Sequence, residues 1–559
     1  MKICMLVFAL AITTVVRAQN IELGPDERLV TILGTNDIHG GIEPNFPMWA
    51  GMVDDIRQRT KDRYDQRAGV LTVDAGDQFQ GTLISNYTEG MLIFAAMKLI
   101  QYDAIVPGNH DYDFGPIGWL VDQSADTSRR REALEKAAFQ TGVPLLSANT
   151  FYKDSLMDTA GAPVAVSNTG CLPKGPASQI DWSRARQPSF LKPYLIKHVA
   201  GLRVALIGID NVNTNILTTA DNVADLCFGD EEEHYKRIRK QLEGKADIFI
   251  MVVHDGDVAV IEKLTSPERL VDAVISGHTH QVYSRRINGV PYVQTGSGGH
   301  FYDRVDLVWD SSARKIVDAR TQSSAGNPIT GPHFNGAVQN LLEQARRDIA
   351  PFSGRPVGKA AAPITRDYIN ENALANLLTD EFRRISGTEI AFLNGGGIRA
   401  NLPASDLSYE DFFKISPFSN RALILDPMPI ENLIALLKQS IVTCGAYGAL
   451  FQSGLTVSYR RHCTGDAKLD LAAKLLRVEQ IGGPILYTEQ SGINPQAPKH
   501  FRIATIDFLA TGGDRFDGFK QIPIVKDLGI LRELLVEDFV RTRPNFIGKI
   551  DGRWRNEDI

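Results

Sequence analysis

The sequence lacks a second long apolar run, an excess of positive charge and any tight cysteine cluster, and each absence removes a class of function. Beyond Ile3–Val16, no stretch of the 559 residues is apolar over the roughly 20 residues a membrane span takes, so no stable membrane anchor is expected. The last eight residues, Gly552 to Ile559, are polar and carry no lipid-anchor signal. A formal net charge of −6 leaves no basic footprint for a nucleic acid partner. A small anionic substrate would need local cations or metals instead of a global field. The five cysteines do not have the close spacing of a zinc site. Cys4 lies in the apolar N-terminal run. Cys171, Cys227, Cys444 and Cys463 are read as two disulfides, for which three connectivities exist, with pairing inside each half of the chain expected.

Among the features present, the N-terminus comes first. Lys2, the apolar run Ile3–Val16 and the small-residue site Val16-Arg17-Ala18 read as a signal peptide over residues 1–18. The mature chain is therefore expected in a periplasm or outside the cell. Asn86-Tyr87-Thr88 is an acceptor sequence for glycosylation in a host that glycosylates. At 43% hydrophobic and 23% charged residues, sizeable cores are expected. The length predicts more than one domain, since single cores rarely exceed about 250–300 residues.

From Arg28 onward, apolar strand-like runs alternate with amphipathic helical patterns, which predicts a layered α/β domain. Five of the runs end in Asp, Asn or His. Leu29–Gly34 leads to Asp37-Ile38-His39, where extended backbone would put both side chains on one side. Val70–Val73 leads to Asp74-Ala75-Gly76-Asp77, Ala104-Ile105-Val106 to Gly108-Asn109-His110-Asp111-Tyr112-Asp113, Asp247–Val253 to His254, and Ala273–Ser276 to Gly277-His278-Thr279-His280. Each run is apolar on both faces and reads as a central strand. Ligands in open α/β sheets bind beyond the carboxyl ends of the strands. His110 could act on a leaving group while Asp113 orients it by accepting its other ring proton. Carboxylate, amide and imidazole ligands together suit two borderline divalent ions, zinc or manganese first, then iron or cobalt. A purely oxygen site would favour magnesium or calcium, and the histidines argue against one. The scattered His198, His234, His333, His462 and His500 are read as structural, as is His300 in its glycine-rich turn.

These five motifs, in this order, resemble the calcineurin-like metallophosphoesterase pattern. The resemblance implies a four-layer β-sandwich flanked by helices. One ion would take Asp37, His39 and His280, the other Asn109, His254 and His278, with Asp77 bridging both. His110 and Asp113 match the family's acid pair, which does not ligate.

Around Asp318–Gly331 the sequence turns polar and irregular. An amphipathic helix then runs from Gly336 to Arg347, followed by Pro351, Gly354, Pro356 and Gly358. The expected division is a first domain over 27–328, a linker helix over 329–354 and a second α/β domain over 355–552. The second half opens with a helical pattern at Glu371–Leu378. Next, the strand Ile390–Leu393 enters Asn394-Gly395-Gly396-Gly397-Ile398-Arg399. Three consecutive glycines cost backbone entropy; their amides beside Arg399 would suit an anion. Ser416-Pro417-Phe418-Ser419-Asn420 and Asp507-Phe508 through Asp514 each place a Phe among loop formers, where two aromatics could sandwich a flat base.

Those three stretches resemble the C-terminal substrate domain of the 5′-nucleotidase family, which also holds UDP-sugar hydrolases and secreted apyrases. By that resemblance Phe418 and Phe508 clamp the base, Asp514 holds the ribose, and Asn394 and Arg399 hold phosphate; the bare amides of Gly396 and Gly397 beside them would suit the same anion. Family members carry a further arginine just before the helix matching Glu371–Leu377. Here Tyr368 stands at that place and Arg366 is the nearest cation. The implied activity is two-metal hydrolysis of nucleoside 5′-monophosphates between the two domains. The alternatives are an apyrase-type diphosphohydrolase, a UDP-sugar or 2′,3′-cyclic-nucleotide hydrolase and, outside enzymes, a secreted nucleotide-binding protein. The oligomeric state is open.

Overall fold

In the computed structural model, residues 21–118, 129–167, 170–174, 179–322, 326–442, 444–445, 447–464, 473–542 and 545–557 are described. The signal peptide expected over 1–18 lies outside them. The first run forms Glu27–Thr35 (β1), parallel to Ala68–Asp74 (β2), which is parallel to Ala104–Ile105 (β3). With Leu145–Leu146, Leu191–Lys192, Phe301–Asp310, Lys315–Thr321 and Asn327–Pro328 they build an eight-stranded sheet, where Phe301–Asp310 lies antiparallel beside β1. Ile248–Val253 (β4), Ala273–Ser276 (β5) and Val290–Thr295 (β6) run parallel in a second, six-stranded sheet.

The two sheets face each other. Val30, Ile32, Leu71 and Val73 of the first share a buried layer with Leu206, Ile250, Val252 and Ile275 of the second. Outside the first sheet, Asn45–Tyr64 (α1) and Met91–Ile100 (α2) press Trp49, Val53, Ile93 and Met97 onto Leu33 and Ile105. Outside the second, Glu231–Gln241 (α3) and Val258–Thr265 (α4) press Tyr235, Ile238, Ile261 and Leu264 onto Ile207, Met251 and Val274. Burial on both faces explains why the strand sequences are apolar without alternation. The result is four layers: helices, sheet, sheet, helices.

Helix Gly336–Ser353 (α5) starts where the Asn335 side chain accepts from the amides of Ala337 and Val338. Val338, Leu342, Ala345 and Ile349 make one stripe, buried against the α1–α2 layer. The sequence places the end of this helix before Pro351, yet it continues to Ser353. A proline in the last turn forfeits a single i→i−4 bond just before the chain leaves at Gly354.

The second half has a core of its own, drawn from residues 357–554. Its main sheet is ordered Leu450–Ser453, Ile390–Asn394 (β7), His500–Ile506, Arg421–Pro429, Ile524–Ile530. Helix Ala373–Ser386 (α6), capped by the Asn372 side chain on Ala375 N, buries Leu374, Leu378 and Phe382 against it. Helix Tyr409–Ile415 (α7) sends Phe413 into the core of the first half, so the halves share apolar contact.

Both disulfides form inside their halves, Cys171–Cys227 and Cys444–Cys463, each with Cα atoms 5.3 Å apart. The glycosylation reading fails. Asn86 is fully buried, bonded to the Gln80 side chain and to the Pro417 carbonyl of the other half, so no glycan can be carried there in this arrangement. Among the described residues no helix is long and apolar enough to cross a membrane.

Candidate active site

The loops leaving β1, β2, β3, β4 and β5 converge at one end of the sandwich. The first two run side by side, through Ala75 N to Thr35 O at 2.9 Å, Asp37 N to Gly76 O at 2.8 Å and His39 N to Asp77 O at 2.9 Å. Close approach requires glycine at two points. A Cβ on Gly76 would lie 2.4 Å from His254 Nδ1, and one on Gly108 would lie 2.2 Å from Asp77 Oδ1.

Donor atoms of Asp37, His39, Asp77 and His280 all lie within 4.8 Å of one another, as do those of Asp77, His254 and His278. Asp77 is common to both groups. Asn109 joins the second through its Oδ1, 3.2 Å from His254 Nε2. Asp37 and His39 reach the same side, but not through extended backbone: their φ values are 47° and 46°. Asp77, His278 and His280 also lie in the left-handed region, at 58°, 74° and 55°. Non-glycine residues there cost about 1–3 kcal/mol each and persist where surrounding bonds impose them.

Those bonds can be named. Asp111, wholly buried, accepts from the amides of Gly108 (2.7 Å), Asp77 (2.9 Å) and Phe79 (3.0 Å). Burial and the nearby Asp77 carboxylate push its own carboxyl well above the usual range. The Asn36 amide donates to Asp37 Oδ2 at 2.5 Å, and the amide of His278 reaches the same oxygen at 2.9 Å. Burial opposes ionisation of Asp77, yet the imidazoles of His254, His110 and His39 hold its carboxyl well below the carboxylate range.

The cluster fits a pair of divalent ions. His254 Nδ1 lies 2.7 Å from the Ala75 carbonyl, which fixes a proton there and makes Nε2, 3.3 Å from Asp77 Oδ2, the nitrogen that would face an ion. His39 Nε2 and His280 Nε2 stand 2.9 Å apart, an arrangement repulsive for two lone pairs unless a proton or cation lies between them. The mixed oxygen and nitrogen donors suit borderline metals.

His110 stands beside the cluster without joining it. Its amide donates to Asp77 Oδ1 at 2.8 Å, and its Nδ1 is 2.7 Å from Asp113 Oδ2. Thr218 holds the other Asp113 oxygen at 2.7 Å. Burial disfavours the imidazolium, but the Asp113 and Asp77 carboxylates outweigh it and raise the pKa of His110.

Across a cleft of about 1160 Å³ stand the groups of the second half. Arg399 Nη2 comes within 3.2 Å of His39 Nε2, and the Phe418 ring centroid within 5.4 Å of that of His110. Phe508, Gly396, Gly397, Arg366 and Asp514 also line the cleft, together with Tyr368. Asn394 does not. It lies behind the wall and donates to Asp514 Oδ2 at 2.7 Å. Burial lifts the Asp514 carboxyl to about 6. Tyr368, at the position of the expected arginine, is pushed up to about 12 by burial and by Asp514. Arg366 is close enough to Arg399 that burial and the second guanidinium lower its pKa.

A family model described as calcineurin-like phosphoesterase matches residues 30–282, and one for the 5′-nucleotidase C-terminal domain matches residues 356–521. The chain belongs to the 5′-nucleotidase family of calcineurin-like phosphoesterases. Its members are metal-dependent phosphoester hydrolases. It is 24% identical over 542 residues to the trifunctional nucleotide phosphoesterase protein YfkN of Bacillus subtilis, covering 94% of this chain and 34% of YfkN, so it spans about a third of that relative. Protein UshA of Yersinia enterocolitica is 22% identical over 571 residues, with 91% of this chain and 90% of UshA covered. The crystal structure of a 5′-nucleotidase precursor from Thermus thermophilus shares the fold at a TM-score of 0.73 and 20% identity, covering 94% of this chain and 99% of that one.

Several residues that shape this 5′-nucleotidase-family site escape sequence reasoning. Asn36 and Thr218 make single bonds to Asp37 and Asp113, with no periodicity to mark them. Arg515, which reaches Asn213 of the first half at 3.3 Å, and Tyr447, on the cleft wall, belong to no motif read in the sequence.

Proposed function

We propose that the protein is an exported 5′-nucleotidase that converts nucleoside 5′-monophosphates to nucleoside and phosphate, with substrate held between domains divided at the helix 329–354. The observation that carries this reading is the 3.2 Å approach of Arg399 to His39, because it sets a phosphate-binding cation of one half against the acidic and imidazole cluster of the other. Export is supported by the N-terminal apolar run and by two disulfides, which persist in oxidising compartments.

In this reading Asp37, His39 and His280 hold one divalent ion, Asn109, His254 and His278 hold the other, and Asp77 serves both. Zinc or manganese suits the donors best. Such a pair, when bound, supplies Lewis acidity toward the phosphoryl oxygens and lowers the pKa of water toward neutrality. The remaining work falls to the chain. Arg399, with Arg366 beside it, makes the charge-assisted contacts to phosphate, and the amides of Gly396 and Gly397 add neutral donors. Phe418 and Phe508 take the base between them. Asp514, steadied by Asn394, accepts from the ribose hydroxyls. His110, kept cationic by Asp113, holds a proton at Nε2 for the departing ribose oxygen.

A second reading, an apyrase-type hydrolase of di- and triphosphates, draws on the extra cations Lys414 and Arg421 that line the same cleft. Phosphate release from AMP, ADP, ATP, UDP-glucose and 2′,3′-cyclic AMP separates the two. AMP is expected to turn over fastest, activity to vanish in EDTA, and manganese or zinc to restore it. Faster release from ADP or ATP than from AMP overturns the first reading in favour of the second.

A further inference from the structure

Strand β6 supplies none of the seven side chains read as metal ligands, yet two of the loops that carry them are tied to its C-terminal end. Asn36, the neighbour of Asp37, accepts from Thr295 N at 2.9 Å and donates to the Gly296 carbonyl at 2.8 Å. One residue earlier, the wholly buried Gln294 turns its amide toward the loop Gly277–Gln281. The Gln294 amide is assigned with its nitrogen toward the Gly277 carbonyl, 2.9 Å away, because only this orientation gives both of its ends partners of the right kind; its oxygen then accepts from the amides of His280 and Gln281, both at 3.0 Å, and from the Thr279 hydroxyl at 2.8 Å. The same nitrogen reaches the Tyr283 hydroxyl at 3.0 Å.

That loop needs such a hold. His278 and His280 are both in the left-handed region, while Thr279 and Gln281 are exposed. Gly277 is pressed so close to Ala75 that a Cβ on it would stand 2.6 Å from the Ala75 carbonyl oxygen. An apolar side chain at 294 would strip the His280 and Gln281 amides of their partner at once and leave the Gly277 carbonyl only the Thr279 amide, at 2.9 Å, and leaving buried polar groups unmade is costly.

We propose that Gln294 is a positioning residue of the metal centre, its amide fixing the Gly277–Gln281 loop so that the His278 and His280 rings meet their ions. It touches neither ion nor substrate and acts through the backbone of His280. The assignment rests on the reading of His278 and His280 as ligands. Residues that orient metal ligands in this way typically cost 10–100-fold in metal affinity when replaced.

The test titrates Mn²⁺ calorimetrically into the metal-stripped full chain: wild type, Gln294→Leu, Gln294→Glu and, as control, Tyr292→Phe. Tyr292 belongs to the same buried network, its hydroxyl 2.7 Å from that of Tyr283. Gln294→Leu is expected to bind Mn²⁺ about 10–100-fold more weakly. Gln294→Glu, which keeps the acceptor but sets a carboxylate against the Gly277 carbonyl, falls between the two. Tyr292→Phe binds as wild type does, and amide exchange at His280 and Gln281 accelerates only in the Gln294 variants. Wild-type affinity in both Gln294 variants overturns the proposal, as does an equal loss in Tyr292→Phe, which would mark general loosening. If Gln294→Leu fails to fold, Gln294→Glu decides alone. A wild-type chain that binds no Mn²⁺ refutes the ligand reading itself, a result distinct from a failure at Gln294.

Discussion

Replacing Asp113 by asparagine removes one charge beside His110 and leaves the shape of the site intact. The asparagine oxygen can still accept from His110 Nδ1, now 2.7 Å from the Asp113 carboxylate, and the amide can turn its nitrogen to Thr218. A hydrogen bond to a charged group is worth about 1.5–3 kcal/mol and a neutral one about 0.5–1.5 kcal/mol. The imidazolium thus loses about 1–1.5 kcal/mol, close to one pKa unit. Asp113 raises the pKa of His110, so its loss lowers it. If His110 gives its proton to the departing ribose oxygen, the alkaline limb of kcat/KM for AMP moves down by about one pH unit, and the rate at pH values on the wild-type alkaline limb falls about tenfold. His110→Ala removes the proton donor outright and should cost about 10²–10⁴-fold. The assay is phosphate release against pH, run in parallel with p-nitrophenyl phosphate, whose leaving group needs no proton. Both variants should lose far less on that ester. An alkaline limb that stays in place or moves up in Asp113→Asn, or equal losses on the two substrates, would refute the role given to His110.

Asp77→Ala should take metal content from about two ions per chain to below one, measured by elemental analysis, and phosphate release to background. His234 has its pKa lowered to about 3 by burial and by Arg237, against 6.5 unfolded, so the folded state refuses a proton that the unfolded state binds. Stability from this residue is therefore present above pH 6.5 and lost as pH falls toward 3, at about 1.4 kcal/mol per unit; His234→Phe should flatten the drop in urea midpoint between pH 7 and 4.5. Opening Cys171–Cys227, which closes 56 residues, should cost about 4 kcal/mol, and opening Cys444–Cys463, which closes 19, about 3 kcal/mol, read as successive losses of thermal stability in single-disulfide variants.

The five strand-end motifs were legible because each is local. An apolar strand buried on both faces announces itself, and the polar residues that follow must emerge at its carboxyl end. Which strands share a sheet is not local: β1–β3 and β4–β5 read alike, and only the contact of Val30 and Ile32 with Ile250 and Val252 separates them into two layers. The same limit explains the misreadings. The pattern Asp37-Ile38-His39 suggests extended backbone because alternation is the simplest way to align two side chains, whereas the chain reaches that alignment through a left-handed turn secured by Gly76 and Asp77. Asn86-Tyr87-Thr88 satisfies a three-residue rule, yet its asparagine is used by Pro417, 331 residues away. Gln294 is one glutamine in an ordinary strand, given its place by a loop from the neighbouring strand. Ligands that a strand delivers directly can be found by reading along the chain. The residues that hold those ligands at workable angles come from other strands, with no spacing to reveal them, and only packing brings them into view.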